Sequence, residues 1–547
     1  MERFRNVRNH ADGKGVIAIN TALFIADYLV QSGVRRAYAV PDPEIASALN
    51  AFRLRGVTIT ATESGTVGGM LAAAEDAVHQ GVGVVISGAG PGVAEIGPAL
   101  IQAHVSHRAL IALTIEPDGE DSRPSPRGTL DLRTIFASVS KGSYRLSAEN
   151  ARELMPLAWR LATAAPRGPV HLRVHSDEMS KSTRGASGQA HAPGSSNGER
   201  AALVQRASEM IATANHIMVV VGPEVLEARA ETAARLLAEH WETPVAVTPM
   251  AKGVIAETHP LFVGVYGGLG DRAILDLMEQ SDLIVGFGVS SADFAHRWRY
   301  TAPVIHLTHS GSTDPGFPAD IVLSGPLNAL ANQLQRQPAR LENGEARARE
   351  TRRAVRRGLL GRIDERALTP QEVVEQLRPL APVDTPLAVE ADLAGLLAAQ
   401  LWTVTEPGRF LINNGLGLPG SGLALATVAA LTHPRQGILW LGLDTALAVR
   451  PGFLSYLREL DANVVLIVIN QGVRAELLRA QERAGYPPVA SDYPPLNFEA
   501  LAGTFGLNYS RVRSNAELRS ALPEVLVAGR PVILDVIGDR DNWWRID

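Results

Sequence analysis

The sequence predicts an α/β protein made of three doubly wound parallel-sheet domains. Three observations predict it. First, short apolar runs alternate with amphipathic segments along most of the chain. Residues 438–443 form one run, Phe453, Leu454, Tyr456, Leu457 and Leu460 follow at helical spacing, and 464–469 form the next run. Two such runs flanking one amphipathic segment bury best as strand, crossover and parallel strand. Second, the 547 residues are 46% hydrophobic and 20% charged, which fits several packed interiors rather than one. Third, two stretches without strand periodicity divide the chain. They are 176–199, rich in Ser, Gly and Ala, and 336–368, which carries an arginine-rich run. The domains are then 1–175, 200–335 and 369–547.

In order, residues 20–31 read as an amphipathic helix with Ala22, Phe24, Ile25, Tyr28 and Leu29 on its apolar side. Strands follow at 36–40, 57–61, 83–87 and 110–115, with a small-residue helix at 68–77. The second domain has a helix at 201–214 and strands at 216–221, 244–248, 283–286 and 304–307. The arginine-rich run reads as a solvated linker helix; an acidic partner or a nucleotide phosphate is the alternative use of its charge. In the third domain Thr369 caps a helix, with Glu372 completing a capping box. Strands lie at 386–389 and 409–413, and an Ala-rich helix follows the glycine-rich loop 414–422.

A formal net charge of −5 argues against a general nucleic-acid binder. The chain has no cysteine, which excludes disulfides, thiolate metal sites and cysteine-ligated iron–sulfur clusters. The first residues carry no apolar signal-peptide core, and no apolar stretch reaches the roughly 18 residues of a membrane span. A soluble cytoplasmic protein is expected.

The residues with chemistry sit where strands end. If 438–443 and 464–469 are parallel neighbours, Asp444 and Asn470-Gln471 converge on one sheet edge, with oxygen-bearing side chains suited to Mg²⁺ or Ca²⁺. The residues alone leave open that Asp444 only caps a helix and Asn470 only begins a loop. Glu63 follows a strand in Thr62-Glu63-Ser64-Gly65 and either satisfies a helix dipole or acts as an acid. Asp42 stands in Pro41-Asp42-Pro43, a turn former. His104 and His107 are placed on the helix after the turn at 88–92. Gly267, Gly268 and Gly270, and Gly288 further on, suit either structural turns or close approach of backbone to a pyrophosphate.

These motifs resemble those of thiamine-diphosphate (ThDP) enzymes of the acetohydroxyacid synthase and 2-oxoacid decarboxylase group, over roughly 17–540. The resemblance implies pyrimidine-binding, middle Rossmann-like and diphosphate-binding domains. It makes Glu63 the catalytic acid beside N1′ of the aminopyrimidine. Asp444 matches the aspartate, and Gln471 the asparagine, that hold Mg²⁺ against the diphosphate; Asp444, Gln471 and Val473 make the implied metal triplet. Gly415, Leu416, Gly417, Leu418, Pro419, Thr445 and Asn470 join the implied cofactor set, with Pro419 or Leu418 as the wedge between the cofactor rings. Gly267, Gly268, Gly270 and Gly288 match positions where relatives hold FAD or a nucleotide. Asp42, His104 and His107 become substrate contacts. The sequence departs from the pattern at several points. Leu443 replaces the glycine before the aspartate and Thr445 the glycine or alanine after it, Glu95 replaces an asparagine, and Glu390-Ala391-Asp392-Leu393-Ala394-Gly395 replaces a donor-bearing segment that touches the diphosphate. A carboxylate there repels a diphosphate unless a cation such as Arg450 or Arg474 intervenes.

The expected function is ThDP- and Mg²⁺-dependent decarboxylation of a 2-oxoacid with acyl transfer to a second carbonyl, in a homodimer or homotetramer, with FAD a further candidate cofactor. The alternative is a homologue that has lost ThDP and serves as a flavin- or nucleotide-binding enzyme or as a non-catalytic partner subunit.

Overall fold

The computed structural model describes residues 19–117, 131–183, 197–294, 300–311, 316–336, 343–360, 368–494 and 496–538. The chain divides into two compact units, Met1–Gly194 and Ser195–Asp547.

The first unit holds one six-stranded parallel sheet. Its strands are β1 (Arg36–Ala39), β2 (Thr58–Ala61), β3 (Gly83–Gly88), β4 (Leu110–Glu116), β5 (Ser143–Leu146) and β6 (Pro169–His175), in the order β2-β1-β3-β4-β6-β5. Every residue of β3 is buried, as expected for a strand covered by helices on both faces. The helix Thr21–Gln31 starts one residue after Asn20, whose side chain accepts from the Leu23 amide at 2.9 Å. Gly83 is required by packing: a Cβ there would lie 1.8 Å from the carbonyl oxygen of Ala72. The stretch read as linker opens with a short helix, Ser176–Ser180, that buries Met179. Lys181 bonds back to Asp177 at 2.5 Å and Glu178 at 2.6 Å. Composition alone suggested no order there.

The second unit holds two sheets. The first has β7 (Ile217–Val221), β8 (Val245–Val247), β9 (Phe262–Val265), β10 (Leu283–Phe287), β11 (Val304–Thr308) and β12 (Ile321–Ser324), in the order β12-β11-β10-β7-β8-β9. That is the dinucleotide-fold order read from its other edge. The second has β13 (Leu387–Val389), β14 (Phe410–Ile412), β15 (Ile438–Leu443), β16 (Val464–Asn470), β17 (Asn508–Val512) and β18 (Val532–Ile537), in the order β14-β13-β15-β16-β18-β17. Counted from its own first strand, this order repeats that of the N-terminal sheet. The arginine-rich run forms the helix Gly344–Leu360, whose apolar side buries Ala348, Val355 and Leu359. The two sheets of this unit share one core and are tied by Gln400, which donates to the Val265 carbonyl at 2.6 Å and accepts from the Val265 amide at 3.0 Å. Asn542, Trp543 and Trp544 lie outside the described residues.

Candidate functional site

In the C-terminal sheet the chain turns outward in opposite directions from β13 and β15, so a switch point lies between them. Asp444 follows β15 and Gln471 follows β16, on the same edge, as the spacing predicts. Asp444 is buried, and protein donors surround its carboxylate. One oxygen accepts from the Thr445 amide at 2.9 Å and from the Tyr493 hydroxyl in a very short bond. The other accepts from the amides of Gln471 at 3.0 Å and Gly472 at 2.9 Å. Tyr493 reaches it because 491–493 folds back onto 472–474: Arg474 N donates to Ser491 O at 2.7 Å, and Tyr493 N to Gly472 O at 3.2 Å. Arg474 stacks over the Tyr493 ring, 4.9 Å from its centroid. Burial, and then the Asp444 carboxylate, raise the Tyr493 phenol, so it stays a donor.

The other implied ligands do not converge on Asp444 as side chains. Gln471 approaches through its backbone, and its side chain lies against Gly538. The Asn470 amide group donates to Asp535 at 3.0 Å. Val473 is buried in the bridge to Asp492.

Two more carboxylates occupy this edge. Glu390 accepts from the amides of Gly420 and Leu423, both at 3.0 Å, at the start of the helix Ser421–Thr432, and from Trp440 Nε1 at 3.1 Å. Burial raises its carboxyl, against the pull of those donors. Asp392 accepts from the Gly395 amide at 2.9 Å and from the Leu443 amide at 2.8 Å. Burial pushes it up to about 7; the two amides oppose the shift, and Glu390 and Glu476 add to it. Of the loop above, Gly415, Leu418 and Pro419 are partly buried, and Leu416 is exposed. Gly417 and Gly420 take positive φ. Arg450 Nε holds the Pro419 carbonyl at 3.0 Å.

In the N-terminal unit Glu63 stands just past β2, exposed within the chain, ahead of the helix Gly65–His79. Glu95 accepts from the Gly65 amide at 3.0 Å and so caps that helix. Asp42 lies at this sheet's own switch point, between β1 and β3, where a Cβ on Gly88 would meet its carboxyl at 2.5 Å. His104 lies on the helix Gly97–Val105, and burial lowers its pKa. His107 lies beyond that helix with φ 53, not on it as the sequence suggested.

At the middle sheet's switch point, between β7 and β10, backbone meets backbone. Glu224 N donates to Gly288 O at 3.1 Å, and a Cβ on Gly288 would meet that of Glu224 at 2.9 Å. The Glu224 carboxylate accepts from the Thr308 hydroxyl at 2.9 Å and the His309 amide at 2.8 Å. Gly267 and Gly270, both at positive φ, pack against Phe294 and Leu359. Gly268 lies closest to the Leu396 carbonyl.

Sequence reasoning missed Tyr493, which lies in a proline-containing stretch without periodicity. Its pairing with 472–474 is a tertiary event that no local pattern announces.

A magnesium diphosphate needs a free lone pair on its anchoring carboxylate and donors for the phosphates. Here four protein donors saturate Asp444, and Glu390 and Asp392 present carboxyl oxygens that already take the nearby donors. As arranged, the residues of this edge do not fit that group. Among the described residues, no three or more His, Cys, Asp or Glu stand together as a metal-holding group, and no helix is long and apolar enough to cross a membrane.

Comparison with known proteins finds the thiamine pyrophosphate enzyme N-terminal TPP binding domain at residues 19–134, the central domain at 204–334 and the C-terminal TPP binding domain at 394–536. The chain is 23% identical to the acetolactate synthase of Bacillus subtilis over 536 residues, covering 96% of this chain and 94% of that one. It is 28% identical to a putative acetolactate synthase large subunit, IlvB2, of Mycobacterium tuberculosis, covering 82% and 85%. It is 23% identical to the acetolactate synthase isozyme 1 large subunit of Escherichia coli, covering 95% and 94%. With three family domains in sequence on three six-stranded parallel sheets, the chain belongs to the thiamine pyrophosphate enzyme family and is acetolactate synthase-like.

Proposed function

We propose that the chain is a ThDP-dependent lyase or carboligase that decarboxylates a 2-oxoacid and passes the acyl unit to a second carbonyl. The observation that carries this reading is Glu63, an exposed carboxylate just past β2 in a chain whose three sheets follow the family's domain order. ThDP supplies the carbanion chemistry when bound. Glu63 is the group assigned to hold the proton at N1′ of its pyrimidine. Mg²⁺ as the metal, a homodimeric or homotetrameric assembly and a cytoplasmic location belong to the same proposal.

One observation favours a second reading: the donors filling Asp444 and the carboxylates beside it. On that reading the chain has kept the scaffold without ThDP and works as a flavin- or nucleotide-binding enzyme, or as a non-catalytic partner subunit.

Calorimetric titration with ThDP and Mg²⁺, followed by acetolactate formation from pyruvate, tests the first reading. Binding and turnover that Glu63→Gln abolishes, with the fold intact, support it. Silence at millimolar ligand sinks it, and a flavin absorption spectrum in the purified protein then points to the second.

A further inference from the structure

We propose that the C-terminal sheet edge carries its own occupants, with Asp392 standing in the place of an anion and Tyr493 in the place of a cation on Asp444. The inference rests on the ThDP reading for the identity of the competing ligand. For the occupants themselves it rests on geometry alone.

The N-terminus of the helix Leu393–Leu401 offers unpaired amides and the positive end of its dipole, an arrangement that attracts anions. Asp392 takes that position. Its bond to the Gly395 amide is ordinary capping. Its second bond is not: the other oxygen accepts from Leu443, on a different strand and one residue before Asp444. One carboxylate therefore bridges the end of β15 and the start of the helix that follows β13, across the switch point where an anionic ligand would have to enter.

Asp444 supplies the second observation. A carboxylate has about four lone-pair directions, and those of Asp444 meet Thr445, Gln471, Gly472 and Tyr493. Three of these donors are backbone amides fixed by the strand ends. The fourth is a side chain on the returning segment 491–493, the one donor a rotation could withdraw. Arg474 over its ring adds positive charge on the outer side. The edge is balanced internally: its carboxyl oxygens already have donors, and a magnesium diphosphate must displace Tyr493 and compete with the Asp392 carboxyl for the Gly395 and Leu443 amides.

The test compares the full-length wild type with Asp392→Asn, Tyr493→Phe and the double variant, each titrated with ThDP plus Mg²⁺ by calorimetry. Asparagine keeps the helix cap and removes the charge. Phenylalanine keeps the ring under Arg474 and removes the hydroxyl. The double variant is expected to bind at least about tenfold more tightly than the wild type, because less of its population must open before binding. Equal affinity in wild type and double variant overturns the inference and leaves the ThDP reading standing. Silence in all four proteins, with folds intact by circular dichroism, overturns both. Should the variants not fold, hydrogen exchange on the ligand-free wild type decides: the Leu443, Gln471 and Gly472 amides are expected to be protected, as donors held by Asp392 and Asp444. Unprotected exchange at those amides overturns the inference.

Discussion

Replacing Glu390 by alanine should loosen the C-terminal sheet more than most single changes. Its carboxylate is the acceptor for three buried donors: the Gly420 and Leu423 amides and the Trp440 indole. Each buried donor left without a partner costs about 1–3 kcal/mol. Three at the low end give about 3 kcal/mol. The cavity left by the side chain adds to this, and relief of the buried carboxyl's own desolvation offsets part of it. A net loss of about 3 kcal/mol corresponds to roughly a hundredfold faster exchange of the two amides if they open locally. Hydrogen exchange read at Gly420 and Leu423 is therefore the assay of choice, because the unit holds two sheets and a single unfolding midpoint would blur them. Glu390→Gln keeps one acceptor oxygen, so its cost should be nearer about 1 kcal/mol. If the alanine variant leaves both exchange rates and the thermal midpoint unchanged, Glu390 is not the anchor of the loop at 414–420, and the account of this edge fails.

Three further outcomes are expected. His171 is buried between the Thr114 hydroxyl at 3.0 Å and the Ser143 hydroxyl at 2.9 Å, and burial first, then Arg173, push its pKa down to about 3. The unfolded imidazole takes a proton below about pH 6.5 and the folded one does not, so stability is full above that pH and falls by about 1.4 kcal/mol per unit toward pH 3. Urea midpoints at pH 7 and pH 5 should converge in His171→Asn, and an unchanged pH slope would refute the assignment. Lys252 and Glu257 form an ion pair in which the Lys252 side chain is fully buried and that of Glu257 nearly so, and Lys252 also donates to the Ala399 carbonyl at 2.6 Å. Lys252→Met should cost about 3–5 kcal/mol by stranding Glu257, whereas adding Glu257→Leu should recover most of the loss. A double variant as unstable as the single, by thermal unfolding, would contradict this. Gly83→Ala should destabilise by about 3 kcal/mol or leave the protein insoluble, since its Cβ meets the Ala72 backbone, which cannot move aside as a side chain can; wild-type solubility and melting would refute it.

How far the sequence reveals this molecule depends on the range of each interaction. The runs 438–443 and 464–469 are readable because both sheet faces are covered, so no residue in them is polar or charged and each run is continuous. The meeting of Asp444 with Gln471 follows from parallel pairing alone. What a meeting of backbones does not fix is where side chains point. Gln471 turns toward Gly538 and contributes its amide, not its carbonyl, to Asp444. Tyr493 arrives through a return pairing that depends on the helix Ala475–Ala484 and the loop 485–490 that follows it. His107 falls off its helix because the chain there takes a left-handed turn, which a hydrophobic pattern does not register.

The three sheets share a consequence of their construction. At the carboxyl ends of parallel strands, loops and helix starts gather unpaired amides, and those amides call for a negative partner. In an α/β enzyme a phosphate-bearing ligand commonly answers that call. In this chain a carboxylate beside each switch point answers it: Asp42 takes the Glu44 amide at 2.9 Å, Glu224 reaches the His309 amide past the end of β11, and Asp392 takes Leu443. The scaffold therefore satisfies these amides without a ligand anion, and a ligand that takes one of them must displace a carboxylate already bonded to it. Any anionic cofactor entering the C-terminal edge must compete with a carboxylate tethered to the chain, whose effective concentration exceeds that of a free ligand. Sequence kinship preserved the helices and strands that create the anion site, because their cores demand it. The residues at the edge answer to no such packing constraint, so an aspartate at 392 can occupy the site while the fold around it stays that of the family.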